Sequence, residues 1–542
     1  MAESNVLGIA FGNSNSSIAY INNEGKADCI ANEDGDRQIP SILAYSGDDE
    51  YHGFQAKAQL VRNRQNTVAN FRDFIGKSFA DIDPTHSAVS AHPVDTNGTV
   101  SYDIPATGKT VSVSELATRH LLRLKQSAED YTGRPVTGAV LTVPTDFTHA
   151  QRDALIAAAK AAELNVLQVI NEPVAALLAT DAIQDGGKVS DDKTVVVVDL
   201  GGTRCDASVI ASRGGMYTVL ATAHDYDVGG NQLDDALVDF FGKEFEKKTK
   251  VSATKDERSI AKLVNQCEVT KKTLSASTSA TVSVESLAEG VDFHSNINRM
   301  RYELLGRKVF DKMVALVQDV VKKAHMEPFN IDEVIMVGGT SHTPKLASRL
   351  SAIFPETTRV RNPTASATSL NPAELNCLGA AVQASLIADF EQTDIEEATH
   401  AVVTSAPHIA KPIGVLVGDE FVKVIDSETA VPARRTITLA APTTPGPVYV
   451  AIYEGERDVK VTPAPPRESN NDEEDSDYEE EEPEDFREPI IKPSKKIAEC
   501  VFEGEGKGKV EVTVQVDKEL QATIMARAVG GKEVVRGVVG KQ

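Results

Sequence analysis

The sequence predicts an α/β domain followed by an antiparallel β domain. Up to about residue 390, apolar strands such as TVVVVDL alternate with helical stretches such as HAQRDALIAAAKAAEL. This alternation is typical of largely parallel sheets covered by helices. After residue 405, short segments from KPIGVLV to KVEVTVQVD alternate apolar and polar residues. A period of two predicts antiparallel strands with one buried face.

The pattern also predicts the domain boundaries. We expect the α/β domain at 1–390, a linker at 391–405 and the β domain at 406–542, because EQTDIEEATHAVV lapses into acidic and small residues. Residues 467–489 are predicted to be a disordered insertion. The stretch ESNNDEEDSDYEEEEPEDFRE within it carries thirteen acidic residues and one arginine. Such a stretch repels itself and buries no apolar area. A solvated loop is the favoured interpretation, and a docking segment for a basic partner is the alternative.

Composition limits the classes of protein to consider. A chain of 542 residues is too long for one core, and 41% hydrophobic with 25% charged residues is ordinary for a globular protein. The five cysteines form no CxxC pair, which argues against a zinc site or a disulfide framework. The chain shows no basic, apolar leader and no membrane-spanning apolar run, so we expect the cytosol. A net charge of -24 disfavours direct binding to nucleic acid.

Two strand-turn-strand units predict a phosphate site. Aligning VLGIAFGNSNSSIA with VVVVDLGGTRCDAS places Ala10 over Asp199 and Gly12 over Gly201. Glycine lets backbone N–H groups approach an oxyanion, and neighbouring Ser, Thr and Asn side chains add donors. One such glycine usually serves only the turn, but a repeat in register is stronger evidence. Ala10 stands where a carboxylate directed at a metal is expected.

Two further segments fit a nucleotide. EVIMVGGTSHTPKLASRL is an apolar strand, a Gly-Gly turn and a helix start, a common place for nucleotides. In CEVTKKTLS, helical spacing puts an acid, two lysines and a serine on one face. These are Glu268, Lys271, Lys272 and Ser275. They suit a nucleoside, although a solvated ion-pair face is the alternative interpretation.

Together these motifs resemble the seventy-kilodalton heat-shock chaperone family. LTVPTDFTHAQRDALIAAAKAAELNVLQVINEPVAALLA, VGGNQLDD, ESLAEGVDFHSNINRMRYELL, NPAELNCLGAAVQA and IYEGER match in the family's order over nearly the whole chain. The resemblance implies a two-lobed, actin-like ATPase domain followed by a β-sandwich. The family's sandwich is closed by a helical lid, and we expect a lidless, truncated sandwich here because the sequence ends soon after ELQATIMARAVGGKEVVRGVVGKQ.

The resemblance also implies a cofactor, ATP, and the residues that hold it. The predicted cofactor-binding residues are Gly12, Asn13, Ser14, Asn15, Gly201, Gly202, Thr203, Arg204, Gly230, Glu268, Lys271, Lys272, Ser275, Gly338, Gly339, Thr340 and His342. No catalytic residue and no metal ligand is assigned, and retention of magnesium is left open.

Departures from the family pattern bear on hydrolysis. The resemblance implies that Ala10 replaces an aspartate near the magnesium and the attacking water, and that Arg72 replaces a lysine that positions this water. Arg204 replaces a threonine that contacts the terminal phosphate, and His342 replaces an arginine that stacks on adenine. Phosphoryl transfer depends on positioned water and neutralised charge. We therefore expect a protein that binds ATP without hydrolysing it, with Arg204 placed against the phosphates.

These departures are similar to those of the fungal subgroup that pairs with the J-domain protein zuotin in a ribosome-associated complex. The resemblance implies a cytoplasmic regulatory subunit that reaches the ribosome through this partner and helps it stimulate a second, active chaperone on nascent chains. Membrane and direct nucleic-acid contacts are not expected. One alternative is an active peptide-cycling chaperone ATPase with a shortened C-terminal domain, which the retained Asp199, Asp206 and Glu172 favour. The other, a sugar or acetate kinase of the same superfamily, is opposed by the β domain.

Overall fold

The computed structural model describes residues 5–83, 89–184, 192–363, 370–399, 407–418, 420–441, 444–462, 486–504, 508–529 and 534–539. The chain forms two compact units. One contains Met1–Ile210 with Val219–Ala398, and the other contains Ala211–Thr218 with Thr399–Gln542.

The larger unit is an α/β structure, as predicted. Its strands are β1 (Val6–Phe11), β2 (Asn15–Ile21), β3 (Ala27–Ile30), β4 (Ile39–Pro40), β5 (Ile42–Ser46), β6 (Asp49–His52), β7 (Thr67–Ala69), β8 (Pro93–Thr96), β9 (Thr99–Ile104), β10 (Lys109–Ser112), β11 (Gly138–Val143), β12 (Val166–Asn171), β13 (Lys193–Leu200), β14 (Cys205–Arg213), β15 (Met216–Asp225), β16 (Ser279–Ala288), β17 (Val291–Asn298), β18 (Glu333–Val337) and β19 (Arg359–Arg361). Its helices are α1 (Gly53–Gln59), α2 (Val113–Thr132), α3 (His149–Ala161), α4 (Glu172–Ala179), α5 (Gly230–Thr249), α6 (Glu257–Ala276), α7 (Arg299–Leu305), α8 (Arg307–Lys323), α9 (Pro344–Ser351), α10 (Leu375–Ile387) and α11 (Gln392–Thr399).

Two sheets define two lobes in this unit. The first lobe is built on a sheet of order β12-β11-β1-β2-β3, with β4 also on β2, and the second on a sheet of order β15-β14-β13-β18-β19. In the first, β1 is parallel to β11 and antiparallel to β2. In the second, β13 is parallel to β18. The repeat inferred from the sequence is therefore present as two hairpins, β1-β2 and β13-β14.

Helices start where the sequence supplies caps. The Ser112 hydroxyl accepts a hydrogen bond from the Glu115 N–H at the start of α2. Thr148 and Gln151 form a reciprocal capping box that begins α3. These side chains satisfy N–H groups that have no partner inside a helix. Each lobe then has its own apolar core, the first around Leu7 and Phe71 and the second around Phe241.

Helix α10 lies against β1 and α4 because two glycines allow the backbones to meet. A Cβ on Gly8 would stand 2.1 Å from the Ala381 nitrogen, and one on Gly379 would stand 1.8 Å from the Ala175 carbonyl oxygen. Any side chain at either position would push the helix away. This close contact brings Asn376 at the start of α10 to Asp199, whose Oδ2 accepts a hydrogen bond from Asn376 Nδ2 at 3.0 Å.

The predicted linker, 391–405, is helical in its first half. Helix α11 covers Gln392–Thr399, and Ile395 is buried against α10 and β11 together with Val140 and Ile387. Nothing in the sequence indicated this helix, because one buried isoleucine in eight residues leaves little helical periodicity. The assignment of 391–405 as a linker stays a prediction. Residues 400–405 lie outside the described residues.

The smaller unit is a β-sandwich. Its strands are β20 (Ile413–Val417), β21 (Glu420–Ile425), β22 (Ala433–Ala440), β23 (Gly446–Thr462), β24 (Phe486–Gly504), β25 (Lys509–Val516), β26 (Ala522–Ala528) and β27 (Val535–Val539). They form two sheets of order β21-β20-β23-β24 and β22-β25-β26-β27. The core includes Val415 and Ile452 from one sheet and Val512 and Val514 from the other. Strands β26 and β27 follow the last strand expected from the sequence.

Part of the predicted acidic insertion is strand. Most of 467–489 lies outside the described residues, but β24 begins at Phe486, so the end of that range pairs with β23. Phe486 lies opposite Thr462 in this register. The acidic composition gave no sign of this strand. Its pairing with β23 uses backbone hydrogen bonds, which do not require apolar side chains.

Candidate functional site

A cavity of about 930 Å³ opens in the larger unit where the predicted segments meet. Its walls come from the β1-β2 turn, the β13-β14 turn, one face of α6 and the turn after β18. All the predicted cofactor-binding residues line it except Gly230. Gly230 begins α5 just behind the wall, where its carbonyl accepts a hydrogen bond from Lys271 Nζ at 2.8 Å.

The glycines allow the turns to approach each other closely. A Cβ on Gly202 would stand 2.4 Å from Ser14 Oγ and 3.0 Å from Ser14 Cβ, so the glycine leaves room for the Ser14 side chain where the two hairpins meet. Asn13 Nδ2 donates to Thr203 Oγ1 at 3.1 Å in the same region. The turns of the two lobes are therefore in direct contact through these side chains, and their glycines let backbone N–H groups approach a ligand closely.

Some polar groups in the cavity wall are satisfied by protein, whereas others, Ser14 Oγ among them, have no hydrogen-bond partner among the described residues. Thr340 Oγ1 donates to the Gly201 carbonyl at 2.9 Å, which ties the turn after β18 to the β13-β14 turn. His342 Nε2 lies 3.1 Å from Asn371 Oδ1. Ser14 Oγ is buried and has no hydrogen-bond partner in the described part of the chain. A buried hydroxyl without a partner is costly, and a ligand oxygen in the cavity would satisfy it.

The face of α6 carries charge pairs rather than free charges. Lys271 Nζ lies 2.6 Å from Asp234 Oδ2, and Lys272 Nζ lies 2.8 Å from Glu268 Oε1. Ser275 Oγ donates back to the Lys271 carbonyl at 3.3 Å. Burial would raise the pKa of Glu268, but Lys57 and Lys272 lower it to about 2. Glu268 is therefore a charged acceptor at neutral pH.

Lys57 reaches Glu268 from the other lobe. It lies on α1, and its Nζ is 2.5 Å from Glu268 Oε2 across the cavity. Lys57 was not predicted as a site residue, because 211 positions separate it from Glu268 and no local motif marks it. Asp234 was not predicted either. Burial raises the pKa of Asp234 to about 6, although Lys271 opposes the shift.

Arg72 is buried among carboxylates in the cavity wall. Its Nη1 donates to Glu172 Oε1 at 3.1 Å and to the Phe11 carbonyl at 3.2 Å. Its Nε lies 2.8 Å from Asp73 Oδ1 at an angle too poor for a hydrogen bond, which makes this contact an ion pair alone. Burial would lower the pKa of Arg72, but Asp73 and Glu172 raise it. Arg72 is thus fixed and charged.

Arg204 is also held by carboxylates. Its Nε donates to Asp206 Oδ2 at 2.7 Å and its Nη2 to Asp206 Oδ1 at 2.5 Å, so both oxygens of Asp206 are engaged. Nη2 also lies 2.8 Å from Asp146 Oδ1. The predicted contact of this guanidinium with the phosphates stays a prediction. Although Arg204 lines the cavity, its donors are directed at acids, because a bidentate carboxylate offers charge and matching geometry.

Three buried carboxylates remain in the floor of the cavity. Burial raises the pKa of Glu172 to about 8 and that of Asp199 to about 6, with neighbouring acids adding to both shifts. Burial also raises the pKa of Asp206, while Arg204 opposes the shift. Ala10, at the end of β1, contributes only a methyl group to the wall. In the described part of the chain, no group of three or more His, Cys, Asp or Glu side chains is placed to hold a metal ion.

The architecture and these segments agree with a family comparison. A model described as Hsp70 protein matches residues 6–464. This chain belongs to the Hsp70 family.

Among individual relatives, this Hsp70-family chain is 47% identical to a heat shock protein 70 homolog of Schizosaccharomyces pombe, over 98% of this chain and 95% of the relative. It is 43% identical to the ribosome-associated complex subunit SSZ1 of Saccharomyces cerevisiae, over 98% of this chain and 99% of that protein. It is 36% identical to a ribosome-associated molecular chaperone of Eremothecium gossypii, over 84% of this chain and 73% of that protein.

Membership of the Hsp70 family explains why the motifs occur in one order along the chain. Helices in the described regions of this Hsp70-family chain are too short or too polar to cross a membrane.

Proposed function

We propose that this Hsp70-family chain is a regulatory subunit that binds ATP without hydrolysing it. It forms a stable complex with a J-domain protein of the zuotin type at the ribosome. Through that partner it helps a second, active Hsp70 chaperone act on nascent chains. The observation that carries the non-hydrolysing part is the bidentate pairing of Arg204 with Asp206.

The cavity supports ATP as the ligand. Its volume is in the range of small-molecule sites, and its walls combine glycine turns, hydroxyls and lysines. We assign the phosphates to the two hairpin turns, where Ser14 Oγ lacks a partner within the described residues. We assign the nucleoside to α6 and the turn after β18, with Glu268 as a charged acceptor for hydroxyl groups. The nucleotide-binding region is then 1–390, and 406–542 corresponds to the family's substrate-binding β domain.

The charge pairs argue against hydrolysis. Carboxylates bind magnesium directly or through ordered waters, and they need free oxygens to do so. Both oxygens of Asp206 accept from Arg204, Glu172 accepts from Arg72, and Ala10 has no carboxylate. Arg72 cannot direct a water as a mobile lysine would, because its planar group is fixed by Glu172 and Asp73. The cavity therefore lacks both a group that positions the attacking water and strong ligands for magnesium, which hydrolysis requires.

Sequence likeness supports the ribosomal role. The relative named as a subunit of the ribosome-associated complex aligns over 98% of this chain and 99% of its own length, so the likeness extends through both units. A relative named as a ribosome-associated chaperone aligns over a smaller share of itself. We therefore place this protein in the cytoplasm, in a complex of the first kind, with a chaperone of the second kind as the active partner.

Single-turnover measurements test the absence of hydrolysis. Purified protein in excess over radiolabelled ATP should retain the triphosphate over hours, with or without magnesium. An active Hsp70 chaperone treated in parallel should convert it to ADP within minutes. Cleavage by this protein at the rate of the active chaperone contradicts the proposal.

Co-expression tests the partner. A J-domain protein of the zuotin type should copurify with this chain in a stoichiometric complex that survives gel filtration in high salt. A complex that forms only transiently, or only while ATP is being hydrolysed, contradicts the regulatory role.

One observation favours the alternative, an active chaperone ATPase with a shortened C-terminal domain. Asp199 lines the cavity and accepts a hydrogen bond from the neutral Asn376, so its charge is not paired as Asp206 is. A single free carboxylate supports only weak metal binding. Turnover that rises when peptide is added would favour this alternative.

A further inference from the structure

We propose that Asp146 and Tyr226, acting through Arg204, form a latch between the two lobes that slows the release of bound nucleotide. The proposal rests on the ATP binding proposed above. It adds two residues outside the cavity wall that determine how long the bound nucleotide stays. The three residues are called the Arg204 latch below.

The latch joins residues from opposite lobes. Arg204 immediately precedes β14 and Tyr226 follows β15, so both belong to the second lobe, whereas Asp146 follows β11 in the first lobe. Arg204 Nη2 lies 2.8 Å from Asp146 Oδ1, and the Tyr226 hydroxyl donates to the other oxygen, Oδ2. Both oxygens of one first-lobe carboxylate are therefore bound by the second lobe.

The second lobe holds Arg204 rigidly for this contact. Asp206 binds two of its nitrogens, and the Tyr226 ring lies under the guanidinium, 4.6 Å from ring centroid to Cζ. The Arg204 side chain is only 6% exposed, so its bonds are shielded from water. A pre-positioned, buried cation makes stronger hydrogen bonds than an exposed one.

Other charged groups around the latch fit this arrangement. Asp73 of the first lobe lies 3.9 Å from Arg204 Nη1, and Lys77 of the first lobe lies 5.6 Å from the Tyr226 ring centroid. Burial would raise the pKa of Asp146, but Arg204 and the Tyr226 hydroxyl lower it, and His224 acts in the same direction. Asp146 is therefore ionised throughout the neutral range.

Asp146 and Tyr226 act at a distance from the ligand. Neither lines the cavity, whereas Arg204 does. They are thus positioning residues. A nucleotide enclosed between the hairpin turns leaves only when the lobes separate, and separation breaks the charge-assisted bonds of Asp146. Release should therefore depend on these bonds even though the nucleotide does not touch them.

Two conservative variants test the latch in the full-length protein. Asp146→Asn removes the charge and Tyr226→Phe removes the hydroxyl while keeping the ring under Arg204. Glu33→Gln is the matched control, because Glu33 pairs with Arg123 inside the first lobe. Each protein is loaded with a fluorescent ATP analogue and chased with unlabelled ATP, so that association and dissociation rates are measured separately.

We expect dissociation to become about tenfold faster in Asp146→Asn and about threefold faster in Tyr226→Phe, with association rates changed less than about twofold. The control should match the wild type. Unchanged dissociation in both latch variants, or an equal effect in Glu33→Gln, overturns the proposal.

Hydrogen exchange in the nucleotide-free protein separates this proposal from the proposed function. If the wild type binds no nucleotide, ATP binding fails, but the latch is still testable as a restraint on the lobes. Amides of 71–75 and 201–206 should then exchange faster in both latch variants than in the wild type and the control. Equal exchange in all four proteins overturns the latch. Hydrolysis of the bound analogue contradicts only the proposed function.

Discussion

Arg72 and Glu172 form a buried pair in the cavity wall, with Nη1 of the arginine 3.1 Å from Oε1 of the glutamate. The pair joins the 3-10 turn that contains Arg72 to the start of α4. It engages one of the three carboxylates that the chain retains from the Hsp70 pattern. The packing of the first lobe therefore determines whether this carboxylate is available for hydrolysis.

Restoring the family residues should restore cleavage. The triple variant Ala10→Asp, Arg72→Lys, Arg204→Thr supplies a free carboxylate and a mobile cation and releases Asp206 from its bidentate partner, so we expect single-turnover hydrolysis at least about tenfold above the wild type. Lys323→Arg on the surface end of α8 is the control for a change in guanidinium content. Quantifying ADP from tightly bound ATP measures the effect. No gain in the triple variant would contradict the assignment of the block to these three residues.

Glu172 should make stability depend on pH in a specific direction. Its pKa is raised by burial to about 8, so the folded state holds a proton that the unfolded state releases near pH ~4. The stabilisation from this proton is present below pH ~4 and is lost as the pH rises to about 8. Glu172→Gln keeps a neutral side chain and lacks this loss. The wild type should therefore lose unfolding free energy relative to Glu172→Gln between about pH 5 and 8, measured by urea denaturation. The opposite slope would contradict the raised pKa.

Filling the contact between the hairpin turns should weaken nucleotide binding. A Cβ on Gly202 would stand 2.4 Å from Ser14 Oγ and 3.0 Å from Ser14 Cβ, so Gly202→Ala must turn the Ser14 hydroxyl away from its position and push the two turns apart by a few tenths of an ångström. We expect the Kd for ATP to rise at least about tenfold, which corresponds to ~1.4 kcal/mol. Gly537→Ala in β27, where no described atom lies within 4 Å of the added Cβ, is the control. Calorimetry measures both affinities, and wild-type affinity in Gly202→Ala would argue against the assigned phosphate position.

Helix α11 should depend on one side chain. Ile395 is 5% exposed and packs on Val140 and Ile387. Ile395→Ala should reduce the stability of this attachment by about 2–4 kcal/mol, because it leaves a cavity. Limited proteolysis should then cut within 392–399 faster than in the wild type. Glu397→Ala, at an exposed position of the same helix, should leave the cleavage rate unchanged.

The sequence allowed prediction of features that depend on neighbouring residues. The two hairpins were recognised because strand, turn and strand follow one another within about fifteen residues, and the α6 face because helical spacing is regular. The contacts that define the site chemistry could not be recognised in this way. Asp146 and Arg204 are 58 positions apart, and Lys57 and Glu268 are 211 apart. No local sequence pattern shows that the Arg204 guanidinium, which was expected at the phosphates, binds the carboxylates of Asp206 and Asp146.

Weak local signals account for the remaining differences. Helix α11 has one buried apolar residue in eight, so its sequence looked like a linker. Strand β26 alternates buried and more exposed positions, but two of its three buried residues, Ala522 and Ala526, are small, so its apolar pattern is weak. Pairing with β25 fixes this strand more than its own composition does.

The register of β23 and β24 sets how freely the acidic segment can vary. Thr462 and Phe486 face each other in the ladder, so both attachment points of residues 463–485 are fixed side by side by the sandwich. In general, doubling the number of residues that join two fixed ends adds only about 0.6 kcal/mol of closure entropy. Insertions, deletions or a genetically encoded reporter should therefore be accommodated there without unfolding the sheet, which makes this position a practical attachment point for labels.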